Sequence, residues 1–167
     1  MSFSLLPKLM ADSLTDIHPE LFVQRGIRLV MLDFDNTIVP YTTDEATSLV
    51  LAWLTWVKDC GIYVCVVSNS KRDRVKKFCN RYDLPCITHA KKPFSKGIRQ
   101  CMERFACKSE ECALVGDQIF TDTLGANSCG VTSILVKAID NHNIWLKLRH
   151  VAELPFIFLA RKRRIAK

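Results

Sequence analysis

The chain has 167 residues, 49% of them hydrophobic and 25% charged, which fits one globular domain and excludes a disordered, repetitive or low-complexity chain. A domain of this size buries roughly 70% of its unfolded surface, enough for a single core. The formal charge of +7 is concentrated at the C-terminal end, where residues from Lys147 onward hold seven Lys or Arg against one Glu; this excludes a nucleic-acid face spread over the whole domain and points to a local patch for an anionic partner.

Residues 1–26 read as a leader, and its opening "MSFSLLPKLMADS" lacks the basic start and long apolar middle of a secretory signal. No apolar run reaches the roughly 18 residues of a membrane span, so the expected compartment is the cytoplasm. From residue 27 to 140 apolar runs alternate with amphipathic ones. "GIRLVMLD" reads as a strand, and "TDEATSLVLAWLTWVKDCG" as a helix burying Leu49, Ala52, Trp53, Trp56 and Val57. "IYVCVVSN" is the next strand, and "KRDRVKKFCNRYDL" a polar helix whose buried stripe is Val75, Phe78, Cys79 and Tyr82. A short strand "CITHA", a helix from Phe94 to Phe105, a strand "CALVG", a short helix after Thr121 and a strand "TSILVK" complete the series. Five near-continuous apolar strands separated by helices describe a doubly wound α/β domain, a parallel sheet with helices on both faces.

The eight cysteines lack the paired spacing of zinc or redox motifs, and several sit inside apolar runs, so they read as core thiols of a reducing compartment. Trp53 and Trp56, at helical spacing, read as core. His18, His89, His142 and His150 read as structural or exposed groups.

Ligands of such a sheet bind beyond the carboxyl ends of its strands. The strand ends here are Asp33-Phe34-Asp35-Asn36-Thr37, Ser68-Asn69-Ser70, Ala90-Lys91-Lys92-Pro93 and Gly116-Asp117-Gln118, with Asp122 shortly after. Residues two apart on a strand face the same way, so Asp33 and Asp35 both point into the crevice, with Asp117 beside them. Gathered carboxylates repel unless a cation neutralises them, and all-oxygen ligands favour Mg²⁺. Lys92, Ser68 and Asn69 supply an ammonium and hydrogen-bond donors opposite it, with Lys91 a solvated neighbour. A phosphoryl group fits between them: Asp33 as the attacking carboxylate, Asp35 as acid and then base. A D-x-D pair alone is more often a turn or cap device than a catalytic pair, and Ser68 and Asn69 also suit a helix cap; the agreement of four strand ends reverses that balance in favour of the site.

In this order, "DFDNT", "VVSNS", "KKP" and "GDQIFTD" resemble the four motifs of the haloacid dehalogenase-like (HAD) phosphatase superfamily. The resemblance implies a three-layer HAD-like Rossmannoid fold. It also implies Asp33 as nucleophile, Asp35 as acid/base, Ser68 and Lys92 as phosphate ligands, and Asp33, Asp35 through its carbonyl and Asp117 as Mg²⁺ ligands. Thr37 and Asp122 would be accessory. The intervals 37–62 and 70–92 are too short for an inserted cap, so no cap domain is expected and the site should be open. "LLPKLMADSLTDIHPELFVQRGIRLVMLDFDNTIVPY", "AKKPFSKGI" and "VGDQIFTDTLGAN" are similar to the YqeG-like branch of HAD subfamily IIIA, whose relatives include mitochondrial phosphatidylglycerophosphate phosphatases. That implies a phosphomonoesterase working through an aspartyl-phosphate, with a phosphorylated lipid of phosphatidylglycerol synthesis as leading substrate and soluble phosphomonoesters behind it.

Residues 141–167 mix Ile144, Trp145, Leu148, Phe156, Ile157, Phe158 and Leu159 with the basic run Arg161 to Arg164, a composition suited to peripheral contact with an anionic membrane at its inner face. A last helix packed on the sheet is an equal reading. Pro155 is expected to break any single long helix here. A different reading makes the chain an interaction module acting through this basic tail on ribosomal RNA or an assembly partner; the scarcity of aromatics between the tail's charges speaks against nucleic acid.

Overall fold

The computed structural model describes residues 3–70, 73–140 and 144–165, the side chains of 144–150 excepted. Six strands form one parallel sheet: β1 (Leu9–Met10), β2 (Leu29–Leu32), β3 (Tyr63–Val67), β4 (Cys86–Ile87), β5 (Cys112–Gly116) and β6 (Thr132–Leu135), in the order β1-β6-β5-β2-β3-β4. The expected five strands are all present. The sixth, β1, lies in the leader, where two residues are too few to show a period. Leu14, Ile17 and Phe22 of the same leader are buried in the core.

Each central strand is apolar throughout because both of its faces are covered. Val30, Leu32, Val64, Val66, Ala113 and Val115 belong to one core cluster, with Phe34, Trp53, Phe78 and Phe22. Their alternates Leu29, Met31, Cys65, Val67, Cys112 and Leu114 belong to another, with Ile98 and Cys101. The first layer contains α1 (Pro19–Gln24), α2 (Ser48–Asp59) and α3 (Asp73–Arg81); the second contains α4 (Ser95–Arg104) and α5 (Leu124–Ser128). The fold is the expected three-layer α/β sandwich.

Helix α2 begins later and turns differently than its periodicity suggests. Thr47 caps it, its Oγ1 accepting from Val50 N at 3.3 Å, and residues 43–46 stay outside the helix. The buried stripe is Val50, Trp53, Leu54 and Val57, whereas Leu49 is 70% exposed, Ala52 is exposed and Trp56 is 39% exposed against the edge of His18. Both stripes have helical spacing and share Trp53 and Val57. The indole N–H of Trp53, which donates to the Ile17 carbonyl at 2.7 Å, belongs to the stripe that packs.

All eight cysteines are free thiols, five of them buried. Helix α6 (Ile144–Ala160) runs through Pro155 without ending, contrary to expectation. Packing on either side of the proline, by Glu153 before it and Phe156, Ile157 and Ala160 after it, outweighs a cost of about 3 kcal/mol for the lost hydrogen bond and ring clash. His142 lies outside the described residues, as do the side chains of Ile144, Trp145, Leu148 and His150. Among the described residues no helix is long and apolar enough to cross a membrane.

Candidate active site

The chain winds outward from β2 through β3 to β4, then returns to β5 on the other side of β2. The switch point therefore lies between β2 and β5, where an open parallel sheet leaves a crevice. Asp33 follows β2 immediately and Asp117 follows β5, so the topology sets these two carboxylates side by side.

Asp33, Asp117 and Asp122 are buried, and one carboxylate oxygen from each lies within 4.8 Å of the others. Asp122 reaches the group from the one-turn π-helical segment Ile119–Thr123, its Oδ2 accepting from Gln118 N at 3.2 Å. Gly116 makes room for it, since a Cβ there would run into the Asp122 side chain. Lys92, also buried, places its Nζ 2.6 Å from Asp33 Oδ1 and 2.7 Å from Asp122 Oδ1.

Burial pushes the Asp33 carboxyl up to about 7; Asp122 and Asp35 add to the rise, against the pull of Lys92. Burial opposes the Lys92 ammonium, but the charges of Asp122 and Asp33 outweigh it and hold its pKa above the ordinary lysine value. The Lys92 ammonium pairs with two of these carboxylates, Asp33 and Asp122, and the purely oxygen donor set of the three fits a hard divalent cation of the Mg²⁺ kind.

Ser68 is buried at the end of β3, where its Oγ accepts from Ser70 N at 3.0 Å. Asn69 is exposed and spends both ends of its side-chain amide on the backbone of Lys92: Oδ1 accepts from Lys92 N at 2.7 Å and Nδ2 donates to Lys92 O at 2.8 Å. Its side chain therefore acts on Lys92 directly. Lys91 is exposed, as expected. Thr37 is buried, and its Oγ1 has no hydrogen-bond partner among the described residues.

Asp35 is half-buried and set apart from the other three. Arg74, on α3, donates from Nη1 to Asp35 Oδ1 at 2.9 Å and from Nε to Asp44 Oδ1 at 2.7 Å. Its remaining donors reach the carbonyls of Pro40, Tyr41 and Thr43, and its guanidinium lies over the Phe34 ring, 5.0 Å from the centroid. One side chain thus joins Asp35 to the 40–44 loop. Sequence reasoning missed Arg74, which looks like one more charge on a polar helix. It also missed Glu153, buried on α6, whose Oε1 accepts from Ile119 N at 2.9 Å at the start of the segment carrying Asp122. A lone Glu in an apolar and basic run was the available signal.

A cluster of carboxylates around one ammonium, with a further carboxylate held aside, can carry out nucleophilic and acid–base chemistry on a phosphoryl group. Comparison with known proteins agrees. Residues 2–139 match the family model described as mitochondrial PGP phosphatase. The chain is 35% identical over 131 residues to "Probable phosphatase YqeG" of Bacillus subtilis (strain 168), an overlap of 78% of this chain and 76% of that protein. Among solved structures it resembles the cobalt-bound deoxy-D-mannose-octulosonate 8-phosphate phosphatase (YrbI) of Haemophilus influenzae, with a TM-score of 0.55 and 12% identity over 83% of this chain and 92% of that one. It also resembles a HAD phosphatase from Thermococcus onnurineus, with a TM-score of 0.51 and 22% identity over 60% of this chain and 50% of that one. At these identities the structures speak for the fold alone, whereas the family match and the Bacillus relative speak for descent. The chain belongs to the mitochondrial PGP phosphatase family and is a phosphatase related to the Bacillus YqeG protein, with the fold of the HAD phosphatases.

Proposed function

We propose that the protein hydrolyses a phosphomonoester through an aspartyl-phosphate on Asp33, with phosphatidylglycerophosphate as the leading substrate. The observation that carries the mechanism is the contrast between the two carboxylates of "DFD". Asp33 is buried against Lys92 at the switch point, and Asp35 is held aside by Arg74. The Lys92 ammonium favours the carboxylate form of Asp33 that attack on phosphorus requires, and Arg74 positions Asp35 for proton transfer.

In the first step an Asp33 carboxylate oxygen bonds to phosphorus as the bond from phosphorus to the ester oxygen breaks. The Asp35 carboxyl gives its proton to the departing alkoxide, releasing the alcohol. In the second step Asp35, now a carboxylate, takes a proton from water. The water oxygen bonds to phosphorus, the bond to Asp33 breaks, and inorganic phosphate leaves. Lys92, with Ser68 and the backbone amides around Asn69, holds the phosphoryl oxygens; Asn69 fixes the Lys92 backbone so that its ammonium stays in place. Thr37 and Asp122 are accessory, Asp122 by sharing the Lys92 ammonium.

Asp33, Asp117 and the Asp35 carbonyl are the groups that would hold Mg²⁺; the bound ion would neutralise the carboxylates and polarise the phosphoryl group. The substrate assignment is supported by the family match and by the absence of a cap domain among the described residues, which leaves the rim open to a headgroup at a lipid surface.

The test is phosphate release from phosphatidylglycerophosphate in mixed micelles beside a panel of soluble sugar, nucleotide and protein phosphomonoesters. Lipid turnover far above the panel supports the assignment; turnover of soluble esters alone keeps the phosphatase and removes the lipid.

A further inference from the structure

From residue 151 onward the outward face of α6 is apolar. Val151, Leu154, Phe158 and Leu159 are 61%, 45%, 62% and 66% exposed, and they recur at three- and four-residue spacing down one side of the helix. A surface helix ordinarily turns its apolar stripe inward and its charges outward. Here Phe156, Ile157 and Ala160 pack inward against Met10, Ile119 and Leu135, and the acidic residue Glu153 is buried with them. The outward side is left with aliphatic and aromatic groups.

Cations follow directly. Arg161 to Arg164 are all exposed, and the Arg161 guanidinium lies over the Phe158 ring, 4.3 Å from its centroid. Arg163 Nη1 donates to the Pro7 carbonyl at 2.8 Å, Arg164 approaches Asp12 Oδ1 at 3.4 Å, and Ile165 N donates to Met10 O at 2.7 Å. These contacts strap the basic run to the sheet edge beside β1, so apolar face and cations are held together. The N-terminal segment adds to the same region: Leu5 and Leu6 pack with Phe156 and Ile157, while Phe3 is 86% exposed.

We propose that the α6 face, with Arg161 and Lys162 at its end, docks the protein peripherally on an anionic lipid bilayer. An exposed apolar stripe bordered by Arg and Lys suits the boundary between acyl chains and anionic headgroups. A second copy of this chain fits less well, because the basic runs of two like faces would meet. RNA fits less well too, since Val151, Leu154 and Leu159 have no ring to stack on a base. The inner side of the same helix touches the catalytic rim, through Glu153 on Ile119 and Phe156 edge-on to Phe120 at 6.1 Å between centroids. A bilayer bound by α6 therefore lies beside the rim. The docking itself stands on the α6 face and is independent of the phosphatase reading.

The test is co-sedimentation of the full chain with vesicles of phosphatidylcholine alone or with roughly 30% phosphatidylglycerol, the latter to supply anionic headgroups. The protein should pellet with the anionic vesicles and release as salt rises. Phe158→Ser with Leu159→Ser, Val151→Gln with Leu154→Gln, and Arg161→Glu with Lys162→Glu should each weaken partitioning by more than about 10-fold. All six positions are exposed, so circular dichroism and Tm should stay at wild type. Asp33→Asn should bind as wild type does, which separates docking from catalysis. Failure of the wild type to bind anionic vesicles, or equal binding by folded variants, would overturn the proposal. It would equally be overturned if these substitutions dissociated a dimer or released RNA and left vesicle binding intact.

Discussion

Arg74 Nη1 and Asp35 Oδ1 lie 2.9 Å apart, and the same guanidinium ties down Asp44 and three carbonyls of the 40–44 loop. The candidate acid/base and the loop beside it therefore share one support from a neighbouring helix. Lysine cannot reproduce it, because a single ammonium lacks the planar fork that serves several acceptors at once.

Arg74→Lys should lower kcat by about 10- to 100-fold with a smaller change in KM, as expected for a residue that positions a general acid. It should also make the chain cleave faster within residues 40–46 under limited proteolysis. Steady-state kinetics and a timed digest check both, and an unchanged digest would separate the loop from the acid.

Removing the Lys92 charge leaves Asp33 and Asp122 buried without their ammonium. Lys92→Met should destabilise the fold by about 3–5 kcal/mol, the usual cost of stripping one partner from a buried pair. Added Mg²⁺ should recover part of that stability and none of the turnover, measured by urea denaturation and phosphate release on the same samples.

The carboxylate cluster predicts stabilisation by divalent cation. Mg²⁺ at a hundredfold excess over its Kd should add about 2.7 kcal/mol, seen as a rise in Tm. Asp117→Asn should remove most of that rise, because it takes one carboxylate from the donor set.

Burial pushes the Cys112 thiol up to about 12 and raises Cys79 as well, so both are poor nucleophiles near neutral pH. The half-buried Cys60, Cys86 and Cys129 should react with a thiol reagent before the five buried cysteines do. A chelator should leave the number of fast thiols unchanged, and an increase would reveal a thiolate-bound metal.

Much of the site was legible in the sequence because it sits where apolar runs stop. A buried parallel strand writes itself as "LVML" or "CALVG", and the polar residue after each run marks the rim without knowledge of strand order. Asp33, Lys92, Asp117 and Asp122 come together on that logic. Arg74 was not legible, because its partners lie far away in the chain and it breaks no pattern on its own helix; Glu153 stood out only as a lone Glu in an apolar and basic run, with nothing local to name its partner. The α2 stripe was misread by one position because Leu49 and Val50 both fit a helical period, and the Ile17 carbonyl that receives Trp53 lies in the leader. Pro155 misled because the cost of a proline is a local rule, overridden by packing on both sides of it.

The most direct measurement is phosphate release with and without Mg²⁺ by the wild type and by Asp33→Asn, with circular dichroism showing both folded. Hydrolysis through Asp33 predicts Mg²⁺-dependent release by the wild type and a fall of more than about 1000-fold in the variant, whose amide cannot attack phosphorus. Release that persists in Asp33→Asn, or that runs equally well without a divalent cation, would contradict it.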